Sequence, residues 1–146
     1  MQKDCISVDS YQETAALYTY FLDNSPEMIP DRKRPLVLNL PGGGYEMTSD
    51  REAEPVAIQY IAKGYQAAIL RYSVKPAKYP LALLQLAKAV AHLREYADEY
   101  HIDTEKIVVQ GFSAGGHLAC SLEFSGRNRF FPKHLACPQN RSGQTE

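Results

Sequence analysis

No apolar run in the 146-residue sequence approaches the ~20 residues that a membrane-crossing helix needs. The opening Met1-Gln2-Lys3-Asp4-Cys5 has no apolar stretch behind a basic end, so no secretory signal is expected. Charge excess is also missing. Lys and Arg number 16 against 17 Asp and Glu, which argues against a nucleic-acid or anionic-membrane partner. Cysteine is scarce: Cys5, Cys120 and Cys137 are odd in number and lack Cys-x-x-Cys spacing. That pattern suits free thiols in a reducing compartment better than a disulfide framework or a zinc site, with the cytoplasm as the expected location. Neither G-x-G-x-x-G nor G-x-x-x-x-G-K-[ST] occurs, which leaves a nucleotide-binding reading weak; no cofactor and no metal is expected. There is no internal repeat, and nothing sets an oligomeric state.

What is present is a chain 45% hydrophobic, enough for one domain with a real core. Thr14 to Leu22, rich in Tyr and Thr, reads as a strand, and the Pro- and charge-rich Asp23 to Arg34 as a surface connection. Leu36 to Leu40 reads as a buried strand that stops at Pro41-Gly42-Gly43-Gly44. A helix is expected next, capped by Ser49 or Asp50 and ended by Gly64. Gln66 to Leu70 is a short strand, and Pro80 opens a second helix. In that helix Leu83, Leu86, Ala87, Val90, Leu93 and Ala97 recur at helical spacing. Ile107 to Val109 is a third short apolar strand, ending at Gly111-Phe112-Ser113-Ala114-Gly115-Gly116, after which His117 to Leu122 is helical.

Strands alternating with amphipathic helices define the α/β class: a mostly parallel sheet with helices on both faces. Ligands of such sheets bind at the carboxyl ends of the strands, where both glycine segments fall. Gly111 to Gly115 fits G-x-S-x-G. The serine of that pattern projects from a tight strand-to-helix turn, and glycine is wanted two residues away on either side because a side chain there would collide with the neighbouring strand or helix. Three consecutive glycines at 42–44 leave N–H groups unshielded and able to donate to a developing oxyanion. Taken alone, the serine segment also reads as a Gly/Ser-rich turn, and the glycine run as a flexible turn or a phosphate-binding nest. Their order, with strand, helix, strand, helix and strand between, is far more specific.

These residues resemble the first half of an α/β-hydrolase, in the esterase/lipase branch with an HGGG-type oxyanion loop, and most nearly the bacterial feruloyl- and acetylxylan-esterase-like carboxylesterases. The likeness covers roughly Leu36 to Leu122 and is carried by PGGGY at 41–45, LRYSV at 70–74, KYPLAL at 78–83 and VVQGFSAGGHLA at 108–119. It implies a truncated α/β-hydrolase fold over 1–122 and a carboxylic ester hydrolase acting on a small-molecule ester, which for this branch includes carbohydrate deacetylation. It places the nucleophile at Ser113 and oxyanion donors at the Gly43, Gly44 and Ala114 N–H groups. Tyr45 would shape the acyl or alcohol pocket. Pro41 stands where the family has its first His. His117 falls at a position that packs and hydrogen-bonds.

The family's triad runs Ser, then Asp or Glu, then His. Only 33 residues follow Ser113, with no Asp; their acids are Glu123 and Glu146 and their histidines His117 and His134. None has the separation the fold needs. His92 and His101 are expected on a solvated helix face or as a cap. Residues 123–146 lose both periodicity and resemblance and are expected to form an irregular, non-homologous tail, as a frameshifted or truncated reading frame would produce. The expectation is therefore a serine esterase by family that lacks its acid and base, with a non-catalytic remnant or partner-binding half domain as the alternative.

Overall fold

A computed structural model of the chain describes residues 1–8 and 11–127. Along the chain lie β1 (Gln2–Ile6), β2 (Ala15–Tyr20), β3 (Arg34–Leu40), a 3-10 turn (Asp50–Glu52), α1 (Glu54–Ala62), β4 (Gln66–Arg71), α2 (Leu81–Glu95), β5 (Ile102–Gly111) and α3 (Ala114–Arg127). The five strands form one mixed sheet in the order β1-β2-β4-β3-β5. β3 pairs in parallel with β4 and β5, while β1 and β2 add an antiparallel extension beyond β4. β1 escapes a pattern reading because it is polar and lies at the sheet's edge. It is held by register with β2, from Gln2 opposite Thr19 to Ile6 opposite Ala15.

Helices cover both faces. In β4 the side chains alternate: Ala68 and Leu70 join the core under α2 and α3, while Ala67 and Ile69 join a smaller cluster with Ala53 and Ala57 under α1. Burial on both faces is why β3 and β4 read as unbroken apolar runs. α2 presents Leu83, Leu86, Val90 and Leu93 to the main core, as its spacing predicts, but Ala89 rather than the expected Ala87 is buried there. The helix expected from Ser49 is split, because Pro55 sits in the first turn of α1 and the 3-10 turn precedes it. Gly64, at φ +83°, ends α1: its N–H reaches Ile61 O at 2.9 Å and the Tyr65 N–H reaches Tyr60 O at 3.1 Å, the paired bonds of a left-handed helix stop.

β5 is longer than its apolar centre, because polar residues before Ile107 bulge between the pairs Arg34–Ile102 and Leu36–Ile107. α3 continues past Glu123 to Arg127; the rest of the expected tail, with His134, Cys137 and Glu146, lies outside the described residues. His92 is less solvated than its helix face suggests. Its ring packs beside Tyr96, with Nε2 buried 3.9 Å from Asp4 Oδ2. His101 takes φ +54° in the turn into β5.

Candidate active site

β5 ends at Gly111 and α3 begins at Ala114, so only Phe112 and Ser113 make the turn. Ser113 has φ +47°, a left-handed conformation that a non-glycine residue adopts at a cost of order 1–3 kcal/mol and that persists where the surroundings enforce it. Here they do. The Gly115 N–H bonds Phe112 O at 2.8 Å and the His117 N–H bonds Ser113 O at 2.9 Å. A Cβ on Gly111 would lie 2.2 Å from the Gly115 carbonyl carbon, and one on Gly115 would lie 2.1 Å from Leu40 O. Glycine at both positions lets the first turn of α3 close onto the ends of β5 and β3. The Ala114 N–H makes no hydrogen bond among the described residues and lies at the positive end of α3.

The glycine loop leaves β3 beside this turn. A Cβ on Gly42 would lie 3.2 Å from Ser113 Cβ. Gly43 and Gly44 have φ +137° and +64°, and Tyr45 follows at +59°. A Cβ on Gly43 would strike Met47 O at 2.2 Å, whereas the space over Gly44 is open. The loop's carbonyls turn inward: Gly42 O accepts the Ser49 N–H at 2.8 Å, and Gly43 O accepts the Glu46 and Met47 N–H groups at 3.0 and 3.2 Å. Because C=O and N–H point opposite ways across a planar trans peptide, the Gly43 and Gly44 N–H groups face outward. Neither finds an acceptor among the described residues.

The end of β4 holds this loop. Arg71 donates to Thr48 O at 2.7 Å and to Asp50 Oδ1 at 2.7 Å. The Tyr72 hydroxyl, buried, donates to Pro41 O at 2.6 Å. Burial, with Tyr45 and Glu52 nearby, pushes the Tyr72 phenol up to about 12. Glu52 Oε2 accepts the Gly42 N–H at 2.8 Å. Sequence reading treats Arg71 and Tyr72 only as parts of a resemblance, and no spacing points to Glu52. No spacing rule links residues that meet because two strand ends are neighbours.

Tyr45 lines a cavity of about 270 Å³, with Val74, Pro80, Leu83 and His117 among its walls. Its hydroxyl lies 2.8 Å from His117 Nδ1, and burial raises its pKa. His117 thus faces Tyr45, and no imidazole among the described residues hydrogen-bonds Ser113 Oγ. No His/Cys/Asp/Glu group with the makings of a metal site gathers among the described residues.

One sheet with helices on both faces, and a strand–serine–helix turn at its carboxyl edge, is the α/β-hydrolase arrangement, here present as its N-terminal portion. Residues 25–145 match the BD-FAE family model, and the chain belongs to the BD-FAE family. It is similar to endo-1,4-beta-xylanase B of Butyrivibrio fibrisolvens, 40% identical over 63% of this chain and 15% of that one. Among solved structures it is similar to MGS-M1, an alpha/beta hydrolase enzyme from a Medee basin deep-sea metagenome library, with 47% identity and a TM-score of 0.75 over 84% of this chain and 50% of that one. It also resembles the acetyl ester-xyloside bifunctional hydrolase of Caldicellulosiruptor lactoaceticus, at 35% identity and a TM-score of 0.68 over 78% of this chain and 40% of that one. The chain therefore spans half or less of the length of each of these relatives.

Proposed function

We propose that this chain carries the nucleophile and oxyanion hole of a serine carboxylic ester hydrolase whose substrate is a small-molecule ester, with acetyl esters of carbohydrates the leading class. The observation that carries the reading is the left-handed Ser113 beside outward-facing glycine-loop N–H groups. Acetyl esters are favoured by the likeness to a hydrolase described as acting on an acetyl ester and a xyloside. Ser113 Oγ attacks the ester carbonyl and its proton passes to a base. The Gly43, Gly44 and Ala114 N–H groups receive the negative oxygen of the tetrahedral intermediate. The alcohol leaves, and water releases the acyl group.

No described residue stands as that base. Donors and binding alone leave roughly 10³–10⁴ over water in serine proteases that lack a triad member. With no base among the described residues, Ser113 is expected to react slowly and the acyl group to be released slowly. With p-nitrophenyl acetate and a fluorophosphonate, the expected result is a Ser113 adduct by mass spectrometry, absent in Ser113→Ala, and little steady-state hydrolysis. Labelling elsewhere removes the nucleophile assignment. Fast multiple turnover lost in Ser113→Ala removes the missing-base argument.

A second reading, a half domain that requires a complementing partner, is favoured by β5. Among the described residues it forms an outer edge of the sheet, and Val108 in it is 53% exposed. Co-expression with the C-terminal half of a relative separates the two readings, since restored hydrolysis favours a split enzyme.

A further inference from the structure

Three consecutive glycines pose a mechanical problem. A peptide plane between glycines can swing through 180° with little steric resistance, and such a swing exchanges an N–H donor for a carbonyl. In the 41–44 loop the second and third planes are held only at their carbonyls, by N–H groups of the same loop at Ser49, Glu46 and Met47. The first plane is held at both ends by side chains from outside the glycine run. Tyr72 donates to Pro41 O at 2.6 Å, and Glu52 Oε2 accepts from the Gly42 N–H at 2.8 Å. Hydrogen bonds to a carboxylate are roughly twice as strong as neutral ones.

Glu52 is itself mounted rigidly. Its carbonyl accepts the side-chain amide of the buried Asn39, in β3, at 2.6 Å, and the next residue, Ala53, is fully buried. Its carboxylate also borders the serine turn. The point where a Gly42 Cβ would sit is 2.9 Å from Glu52 Oε2 and 3.2 Å from Ser113 Cβ. Ser113 Oγ makes no hydrogen bond to it, so the geometry does not make it a base.

We propose that Glu52 is a positioning residue: with Tyr72 it clamps the Pro41–Gly42 peptide, and so keeps the Gly43 and Gly44 N–H groups facing the oxygen that develops beside Ser113. The inference rests on the esterase reading for its chemical purpose, but the clamp itself can be measured without catalysis.

The test uses the full chain labelled with ¹⁵N-glycine and records the amide resonances of Gly42, Gly43 and Gly44 together with the rate of Ser113 labelling by a fluorophosphonate. Glu52→Gln keeps an acceptor for the Gly42 N–H and is expected to hold the Gly43 and Gly44 resonances and labelling near wild type. Glu52→Ala removes the acceptor and is expected to displace both resonances and to slow labelling about tenfold or more, less than the loss of an oxyanion donor outright. Tyr72→Phe releases the other end and is expected to displace the same two resonances, which decides the matter if Glu52→Ala does not fold. Unmoved Gly43 and Gly44 amides in the Ala variant overturn the proposal. So does an unchanged labelling rate there, or a Gln variant as damaged as the Ala variant, which would assign the role to charge. If wild-type Ser113 takes no label at all, the esterase reading fails by itself, and the amide resonances alone judge the clamp.

Discussion

Tyr72 shows how one buried side chain carries both architecture and a measurable signature. Its hydroxyl stands under the first carbonyl of the glycine loop, and burial pushes its pKa up to about 12 from an ordinary value of about 10. A raised phenol pKa means that the folded state holds its proton more tightly than the unfolded chain. The stabilisation is therefore complete below about pH 10 and is lost as the pH rises toward 12. Tyr20 shifts the same way, through burial and its bond to Glu54. Thermal unfolding followed from pH 9 to 12 is expected to show a falling Tm, with a shallower fall in Tyr72→Phe and the remainder shared by Tyr20, Tyr45 and Tyr100, whose pKa values burial also raises. A slope identical in the variant contradicts the assignment. At this scale the sequence is informative about Ser113 and Gly42 to Gly44, because tight backbone geometry demands particular residue types within a few positions. It is silent on Tyr72 and Glu52, because a tyrosine or a glutamate suits many places and only the fold brings these two to the same peptide.

Between elements, the decisive contact is α3 against β3. The helix approaches so closely that a methyl group at Gly115 would meet Leu40 O at 2.1 Å, whereas at Gly116 the nearest atom is Gly111 O at 3.1 Å. Gly115→Ala must push the helix off the strand and is expected to cost about 1–3 kcal/mol, the usual range for overpacking. Gly116→Ala, with a smaller clash and better helix propensity, is expected to cost clearly less. Urea midpoints of the two variants compare them directly. Equal midpoints would mean that the helix start is looser than its geometry implies. The apolar face of α2 and the centres of β3, β4 and β5 are legible from spacing, since period follows burial. Gln66 and Gln85 are not. Both are fully buried, Gln66 bonded to Leu22 and Tyr100 and Gln85 to Ser73, and a polar residue in a strand or helix reads as surface until a partner far along the chain is known.

For the molecule as a whole, the two faces of the sheet are covered unequally. α2 and α3 lie over one face, and the nine-residue α1 over part of the other. Where α1 does not reach, Val108 stands 53% exposed, on the strand that forms one edge of the sheet. An exposed apolar side chain on a strand with no outer neighbour among the described residues invites association of chains. The 146-residue polypeptide is expected to self-associate, and Val108→Lys to reduce this without lowering the urea midpoint. Light scattering against concentration reads the first effect. Association unaffected by the lysine would locate the sticky surface elsewhere.

The sequence by itself determined the α/β class, the serine at a forced turn and the glycine run after a strand. Each of these rests on local sterics or on a repeat that tracks burial. Tertiary structure alone decided which residues steady the glycine loop, how β1 and β2 extend the sheet, and that His117 faces Tyr45 rather than Ser113. Those facts depend on which strand ends become neighbours, and strand order is set by packing across the whole core rather than by any short stretch of chain.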